Sequence, residues 1–194
     1  MRNRLSVGIE RIHMRLVIIG SGAAGLSAVQ TLIEHQNAFD VVLITKDTRF
    51  YALFSLPSFV AGEIDEKYLD RFDLKYFEDA GITMKLDTMV TAVNTQANSV
   101  LLETGEELPY DRLLIATGAS AIKPPIDGLD KGGVVTLVNL RDSKDILARA
   151  KRKIKHVVVI GGGFVGIESA TALHRLGVQV TIIERESHLL PRML

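Results

Sequence analysis

Two segments of the chain repeat one pattern: a short apolar run, a glycine-rich turn and then a segment of helical period. The first apolar run covers residues 16–19 and the second covers 157–160. Runs that are apolar at consecutive positions are typical of parallel strands buried on both faces. A further apolar strand follows each helical segment, over 41–45 and 178–183. The pattern therefore predicts two βαβ units, one near each end of the chain.

The helical segments are amphipathic. In the first, predicted over 23–34, Leu26, Val29, Leu32 and Ile33 recur at helical spacing and form the stripe expected to face the strands. The second is predicted over 164–176.

Between the two units the pattern changes and becomes partly antiparallel. Residues 89–94 and 99–103 alternate and are joined by a polar turn, which predicts a hairpin. Residues 49–64 are rich in aromatic side chains and are interpreted as irregular. The other predicted elements are a helix over 70–80, strands over 82–86 and 113–116, and a helix over 143–152.

The fold class is therefore α/β, with two Rossmann-like dinucleotide-binding units and a small antiparallel insertion. The segment Lys123-Pro124-Pro125 cannot lie inside a helix or strand and is the predicted linker. It divides a first domain, 14–122, from a second, 123–194. Residues 1–13 are an N-terminal extension: Met14 is the natural start, or these residues form a poorly ordered arm.

Each glycine-rich turn has the spacing of a dinucleotide fingerprint. The first is Gly20-Ser21-Gly22-Ala23-Ala24-Gly25, and the second is Gly161-Gly162-Gly163-Phe164-Val165-Gly166. The first glycine permits the tight turn, the second lets the backbone approach a pyrophosphate, and the third lets helix and strand pack closely. The alternative is a glycine turn without a ligand. Two copies in strand–turn–helix context favour a protein that holds two dinucleotides and moves electrons between them.

The strand ends that follow the two fingerprints differ. Glu184 ends the second strand of the second unit, where a carboxylate accepts hydrogen bonds from ribose hydroxyls and repels a 2′-phosphate, which favours NADH over NADPH. The alternative is a solvated glutamate, and the neighbouring Arg185 would suit a phosphate. The first unit has no acid at the strand end; its candidates for ribose are Thr45, Lys46 and Asp47.

Composition narrows the chemistry. The chain has no cysteine, which excludes disulfides, thiolate metal sites and iron–sulfur ligation by its own residues. Lys+Arg and Asp+Glu are equal at 23 each, so charge gives no reason to expect a nucleic-acid partner.

The five histidines lack metal spacing, so no metal is expected. No apolar run reaches membrane-spanning length, and we expect no membrane partner and a cytoplasmic location.

Four segments together resemble a known family. They are the first fingerprint, the run Leu113-Leu114-Ile115-Ala116-Thr117-Gly118-Ala119, the run Pro124-Pro125-Ile126-Asp127-Gly128, and residues 161–168 through Glu184. In this combination and order the chain resembles the N-terminal part of a flavin-dependent pyridine nucleotide–disulfide oxidoreductase. The most similar branch contains NADH oxidases, coenzyme A-disulfide reductases and rubredoxin reductases.

The resemblance implies hydride transfer from NADH to FAD. FAD contacts are implied at Gly20, Gly22, Ala23, Ala24, Gly25, Val90, Ala116, Thr117 and Gly118. NAD contacts are implied at Gly161, Gly163, Phe164, Val165 and Gly166. By the same resemblance Phe164 covers the flavin ring and Glu168 lies near the nicotinamide and flavin. The alternative for this last pair is packing and a surface helix position.

Two departures from the family pattern matter. Phe54 stands where the coenzyme A-disulfide reductase branch has its redox cysteine, so the expected acceptor is oxygen, a quinone or a small redox protein rather than a disulfide. Members of the family also continue beyond the equivalent of Leu194. We therefore expect an N-terminal fragment that self-associates or is completed by a second chain. The alternative is a non-catalytic dinucleotide-binding fragment or one chain of a split flavoprotein.

Overall fold

A computed structural model describes residues 14–35, 39–70, 72–152 and 154–191. The predicted N-terminal extension, 1–13, lies outside the described residues. The strands are β1 Arg15–Ile19, β2 Asp40–Ile44, β3 Thr83–Lys85, β4 Val90–Asn94, β5 Ser99–Leu102, β6 Glu107–Pro109, β7 Arg112–Ile115, β8 His156–Ile160 and β9 Gln179–Ile183. The helices are α1 Ala23–Glu34, α2 Leu56–Val60, α3 Leu74–Asp79, α4 Leu140–Lys151 and α5 Phe164–Arg175.

The strands form a parallel sheet in the order β3-β2-β1-β7, an antiparallel sheet in the order β4-β5-β6 and a parallel pair β8-β9. Helix α1 connects β1 to β2 and helix α5 connects β8 to β9, so both predicted βαβ units are present. The α/β fold class with a small antiparallel insertion is confirmed.

The two central strands of the four-stranded sheet, β1 and β2, are buried on both faces. On one face Ile18 packs against Val29 of α1, and both are 0% exposed. On the other face Val17 and Ile44 pack against Val100 of the antiparallel sheet. Since consecutive side chains of a strand point to opposite faces, two covered faces require consecutive apolar residues, as β1 and β2 have.

The antiparallel insertion has a third strand that the sequence pattern did not predict. Strand β6 has three residues and pairs with β5, so that Pro109 lies opposite Ser99. A strand this short gives no readable alternation. Its proline fits because β6 is an edge strand of the sheet.

The chain divides into two compact units. The first unit contains the residues up to Phe50 together with Phe72–Gly118, and the second contains the segment 51–71 together with the residues from Ala119 onward. The predicted division into 14–122 and 123–194 therefore differs from the packing chiefly at 51–71.

The segment 51–71 belongs with the second unit because of its apolar side chains. Leu56 and Phe59 of α2 pack against Leu140 of α4. Val60, at the end of α2, packs against Leu173 of α5. The prediction that 49–64 is irregular is wrong over the five residues of α2, which these distant contacts stabilise.

Two other helices differ in length from their predictions. Helix α4 begins at Leu140 rather than 143, because the Asn139 side chain accepts a hydrogen bond from the backbone N–H of Asp142 at 2.9 Å. Helix α3 begins only at Leu74, after Asp73 caps it through the N–H of Lys75 at 3.0 Å. In the described ranges, no helix combines the length and the apolarity needed to cross a bilayer.

The sheet of the second unit has one covered face. Helix α5 packs against the face of β8 and β9 that carries Val157 and Val180. The opposite face carries Val158, Ile160 and Ile183, whose exposed fractions are 49%, 51% and 54%.

Candidate functional site

The first fingerprint turn is built by close backbone packing. Gly20 has φ of +105°, and its N–H donates to the carbonyl oxygen of Ile44 at 2.8 Å. A Cβ on Gly20 would overlap the backbone carbonyl of Ala116, and a Cβ on Gly25 would overlap the carbonyl oxygen of Gly20. These two glycines are therefore required by the protein's own packing, whether or not a ligand is bound.

The second fingerprint repeats this construction only in part, because a Cβ on Gly161 would meet no atom within 4 Å. Gly161 has φ of +107°, and its N–H donates to the carbonyl oxygen of Ile183 at 2.8 Å. A Cβ on Gly166 would overlap the carbonyl oxygen of Gly161 and lie 3.5 Å from Val159 Cγ1.

The middle glycines serve a different purpose. Gly22 and Gly163 have extended backbone, with φ and ψ of −71° and −173° and of −77° and −178°, which any residue adopts. A Cβ at either position would meet no atom within 4 Å. The missing side chain thus leaves open space in front of a helix, which suits a pyrophosphate that must approach the backbone closely.

The two helices behind these glycines are uncapped. Helices α1, α4 and α5 have 12 residues each, but only α4 has a side-chain cap. Neither α1 nor α5 has an acidic residue in its first turn. Their first N–H groups and the positive end of each helix dipole are left for an anion from outside the helix. The exposed first-turn residues are Ala23, Ala24, Phe164 and Val165.

In the second unit the strand-end acid lies against the fingerprint turn. Glu184 Oε2 accepts a hydrogen bond from the Gly162 N–H at 2.6 Å, and its Oε1 accepts one from the Glu186 N–H at 2.9 Å. These backbone donors, Glu186 first, hold the pKa of Glu184 below its usual value. The carboxylate is therefore charged at neutral pH and fixed beside the turn, with lone pairs left for ribose hydroxyls.

In the first unit a hydroxyl pair occupies the equivalent place. Thr45 is buried, and its Oγ1 accepts hydrogen bonds from Ser21 Oγ at 2.7 Å and from the Asp47 N–H at 3.2 Å. Lys46 is exposed and Asp47 is half-buried. The Thr88 N–H donates to the Thr45 carbonyl at 2.9 Å, which brings the start of β4 to this strand end.

The structure thus gives a role to the second fingerprint residue, Ser21 or Gly162, that the sequence reasoning missed. In both units this residue ties the turn to the residue after the second strand. No pattern in the sequence identifies this contact, because it depends on which strand ends are adjacent in the sheet.

The other predicted FAD contacts lie at two places in the first unit, the turn after β7 and the start of β4. Ala116 joins the first fingerprint, since its N–H donates to the Ile19 carbonyl at 2.8 Å and its own carbonyl lies against Gly20. Thr117 and Gly118 follow it and are exposed. Val90 is half-buried at the start of β4 and packs on the covered face beneath the antiparallel sheet.

Phe164 and Glu168 lie one turn apart on α5. The side chain of Phe164 is 57% exposed, so its ring is largely unused in the packing of its own unit. Glu168 is half-buried. Among the residues that the structure describes, no three His, Asp or Glu side chains are grouped so as to hold a metal ion. His13 lies outside them.

Comparisons with known proteins agree on one family. The family model described as "pyridine nucleotide-disulphide oxidoreductase" matches residues 14–194. The chain is 32% identical to an NADH oxidase of Methanocaldococcus jannaschii over 93% of this chain and 42% of that protein. It is 29% identical to a rubredoxin-NAD(+) reductase of Pseudomonas putida over 93% of this chain and 47% of that protein.

Among solved structures, an NAD-dependent persulfide reductase from A. fulgidus superposes with a TM-score of 0.85 and 34% identity. That match covers 93% of this chain and 35% of the persulfide reductase. The chain therefore spans less than half the length of each of these relatives.

Proposed function

Since the chain belongs to the pyridine nucleotide-disulphide oxidoreductase family, whose cofactors are FAD and NAD, we propose that it is the dinucleotide-binding part of an NADH-dependent flavoprotein oxidoreductase. The relatives are NAD(P)H-dependent flavoprotein oxidoreductases, and the family is enzymatic. The proposed reaction is hydride transfer from NADH to FAD, followed by electron transfer to an acceptor.

One observation carries the proposal. The open spaces at Gly22 and Gly163, here called cradles, lie in front of two uncapped helices. Gly22 and Gly163 leave free space where a Cβ would stand, and within the described part of the chain neither α1 nor α5 has a side-chain cap. A pyrophosphate bridge fits such a cradle because its oxygens accept these N–H bonds and its charge meets the positive helix end.

We assign FAD to the first unit and NAD to the second. FAD, when bound, supplies the hydride-accepting chemistry. In the first unit Gly20–Gly25 and the Ala116–Gly118 turn would form one wall, with Val90 and the strand end at Thr45–Asp47 on the adenosine side. Ala116 supports this assignment because it packs directly on Gly20.

In the second unit Gly161–Gly166 would hold the NAD pyrophosphate, and Glu184 would hold the ribose. The fixed charge of Glu184 favours NADH, because a 2′-phosphate would meet a like charge beside the turn. Phe164 is proposed to cover the flavin ring until nicotinamide displaces it, and its 57% exposure supports this. Glu168 is proposed to lie near the nicotinamide.

The electron acceptor is proposed to be oxygen, a quinone or a small redox protein. Disulfide exchange through this chain is excluded because the chain has no cysteine, and Phe54 stands where a redox cysteine would be expected. One of the relatives is named as a rubredoxin reductase, which is consistent with a small redox protein.

A polypeptide partner, either a second copy of this chain or a separate chain, is also proposed. The support is the open face of β8 and β9, where Val158, Ile160 and Ile183 are about half exposed. Parallel sheets are ordinarily covered on both faces, so a covering chain would bury apolar surface.

The test replaces each middle glycine by valine and measures FAD and NADH affinities of the full chain by fluorescence titration. Valine is tolerated by the extended backbone at Gly22 and Gly163, but its side chain fills the cradle. We expect Gly22→Val to weaken FAD more than about tenfold and to spare NADH, and Gly163→Val to do the reverse. The matched control is Gly132→Val, where a Cβ also meets no atom within 4 Å and φ is not positive.

Three outcomes would contradict parts of the proposed function. Unchanged FAD affinity in Gly22→Val would refute the assignment of FAD to the first unit. Loss of both ligands in either variant would refute a separate site in each unit. If both cofactors bind but NADH fails to bleach the flavin absorption, the second candidate function, a non-catalytic dinucleotide-binding chain, takes its place.

A further inference from the structure

The residues after β9 form a short charged loop whose members are tied to one another. Glu184 accepts the N–H of Glu186 at 2.9 Å, which fixes the turn between them. Arg185, between these two acids, donates from Nε and Nη2 to Glu186 Oε1 at 3.1 and 2.7 Å. One guanidinium and two carboxylates therefore lie within three consecutive residues beside the second fingerprint.

The charges in this loop decide how it would treat a phosphate. An arginine next to a ribose-binding acid is by itself a suitable partner for a 2′-phosphate, because guanidinium binds phosphate through paired N–H donors. Here Glu186 accepts from two of those donors and places a carboxylate beside the guanidinium. A 2′-phosphate would have to displace Glu186 and would also face the Glu184 carboxylate.

We propose that Glu186 is a specificity-determining residue that occupies Arg185 and so withholds it from a 2′-phosphate. This inference rests on the proposed function of the second unit as an NAD site, and it adds a second determinant to Glu184. Glu184 rejects the phosphate by its own charge, whereas Glu186 acts through Arg185. Discrimination against NADPH is thus shared between a residue at the ribose and a positioning residue beside it.

The Arg185 side chain is 91% exposed and that of Glu186 is 47% exposed, which sets the size of the effect. Exposed ion pairs contribute little, so freeing the guanidinium changes affinity by about two- to fivefold rather than by orders of magnitude. The effect is electrostatic and shrinks as salt is added.

The experiment measures dissociation constants of ADP-ribose and 2′-phospho-ADP-ribose for the full chain by calorimetry. Glu186→Gln removes the charge at nearly constant shape. We expect the affinity for 2′-phospho-ADP-ribose to rise about two- to fivefold while that for ADP-ribose stays unchanged. Adding Arg185→Ala to this variant should abolish the gain. Repeating the titration at high salt should reduce it.

The result that overturns the inference is an equal change for both ligands, because Glu186 would then act only by shaping the loop around Glu184. A gain that survives Arg185→Ala would also overturn it. If the unmodified chain binds neither ligand, the proposed NAD site itself fails, and the inference fails with it. Binding of ADP-ribose with no change in the ratio in Glu186→Gln would refute the inference alone.

Discussion

Ile44 and Ile183 occupy the same position in the two units. Each is the last residue of the second strand in its βαβ motif, immediately before the residue that contacts the fingerprint turn. Ile44 is 0% exposed, whereas Ile183 is 54% exposed. In the first unit the antiparallel sheet covers this face with Val100 and Leu102. In the second unit, no described residue of that unit buries it to the same extent.

The difference shows that burial of a strand depends on what covers the sheet as well as on the strand's own sequence. β1 and β8 are equally apolar, with the sequences RLVII and HVVVI. Consecutive apolar residues indicate only that both faces are suited to burial. Whether both are buried depends on elements elsewhere in the chain or on another chain.

The largest effect expected from this comparison is on stability. Ile44→Ala should lower the free energy of unfolding by about 2–5 kcal/mol, because it removes a fully buried side chain and leaves a cavity. Ile183→Ala should cost less than about 1 kcal/mol, since half of its surface already meets water. Urea unfolding followed by circular dichroism measures both.

Equal costs at the two positions would contradict this interpretation. They would mean that the face of β8 and β9 is covered in solution. Sedimentation velocity of the unmodified chain and of Ile183→Ala would then separate self-association from cover within one molecule: only self-association makes the cost of Ile183→Ala depend on protein concentration.

A smaller effect is expected at the first strand end. Thr45→Val keeps the shape of the side chain but removes the oxygen that accepts from the buried Ser21 hydroxyl and from the Asp47 N–H. We expect a loss of about 1–3 kcal/mol in the free energy of unfolding. Adding Ser21→Ala removes the buried hydroxyl that has lost this acceptor and should restore part of the loss. Additive costs in that double variant would show that the two hydroxyls are not coupled.

The smallest effect on stability is expected at Glu184, at the second strand end. Unlike Thr45, this residue has an ionisable side chain. Because the pKa of Glu184 in the folded chain lies below its ordinary value of 4.5, the carboxylate contributes stability above pH 4.5 that is lost as the pH falls through the folded-state pKa. The NMR shift of the Gly162 amide should therefore titrate below pH 4.5. Glu184→Gln should remove this inflection, and an unchanged titration would show that another group causes it.

Much of the fold followed from local patterns. The four long apolar strands, α1, α5 and the glycine turns all depend on residues close together in sequence. The elements that escaped prediction depend on distant ones: α2 contains Pro57 and five residues in all, and it is held by Leu140 and Leu173. Short elements of this kind carry no periodicity and form only once their partners are in place.

The site was predictable to a similar degree. Glycine spacing identified both fingerprints, because positive φ at Gly20 and Gly161 and close packing at the third glycine of each restrict the residues that fit there. The contacts from Ser21 to Thr45 and from Gly162 to Glu184 were not predictable, since they require knowledge of which strand ends are adjacent. The pairing of Arg185 with Glu186 depends on rotamers that the sequence does not specify.

The placement of the segment 51–71 in the second unit also has a consequence for biosynthesis. The chain passes between the units near residues 50, 71 and 118, and the Tyr51 hydroxyl accepts a hydrogen bond from the Leu140 N–H, 89 residues later. During translation Leu56 and Phe59 emerge long before Leu140 exists to cover them. The second unit is thus assembled from an early and a late piece of the nascent chain, so its folding awaits synthesis of α4 and α5.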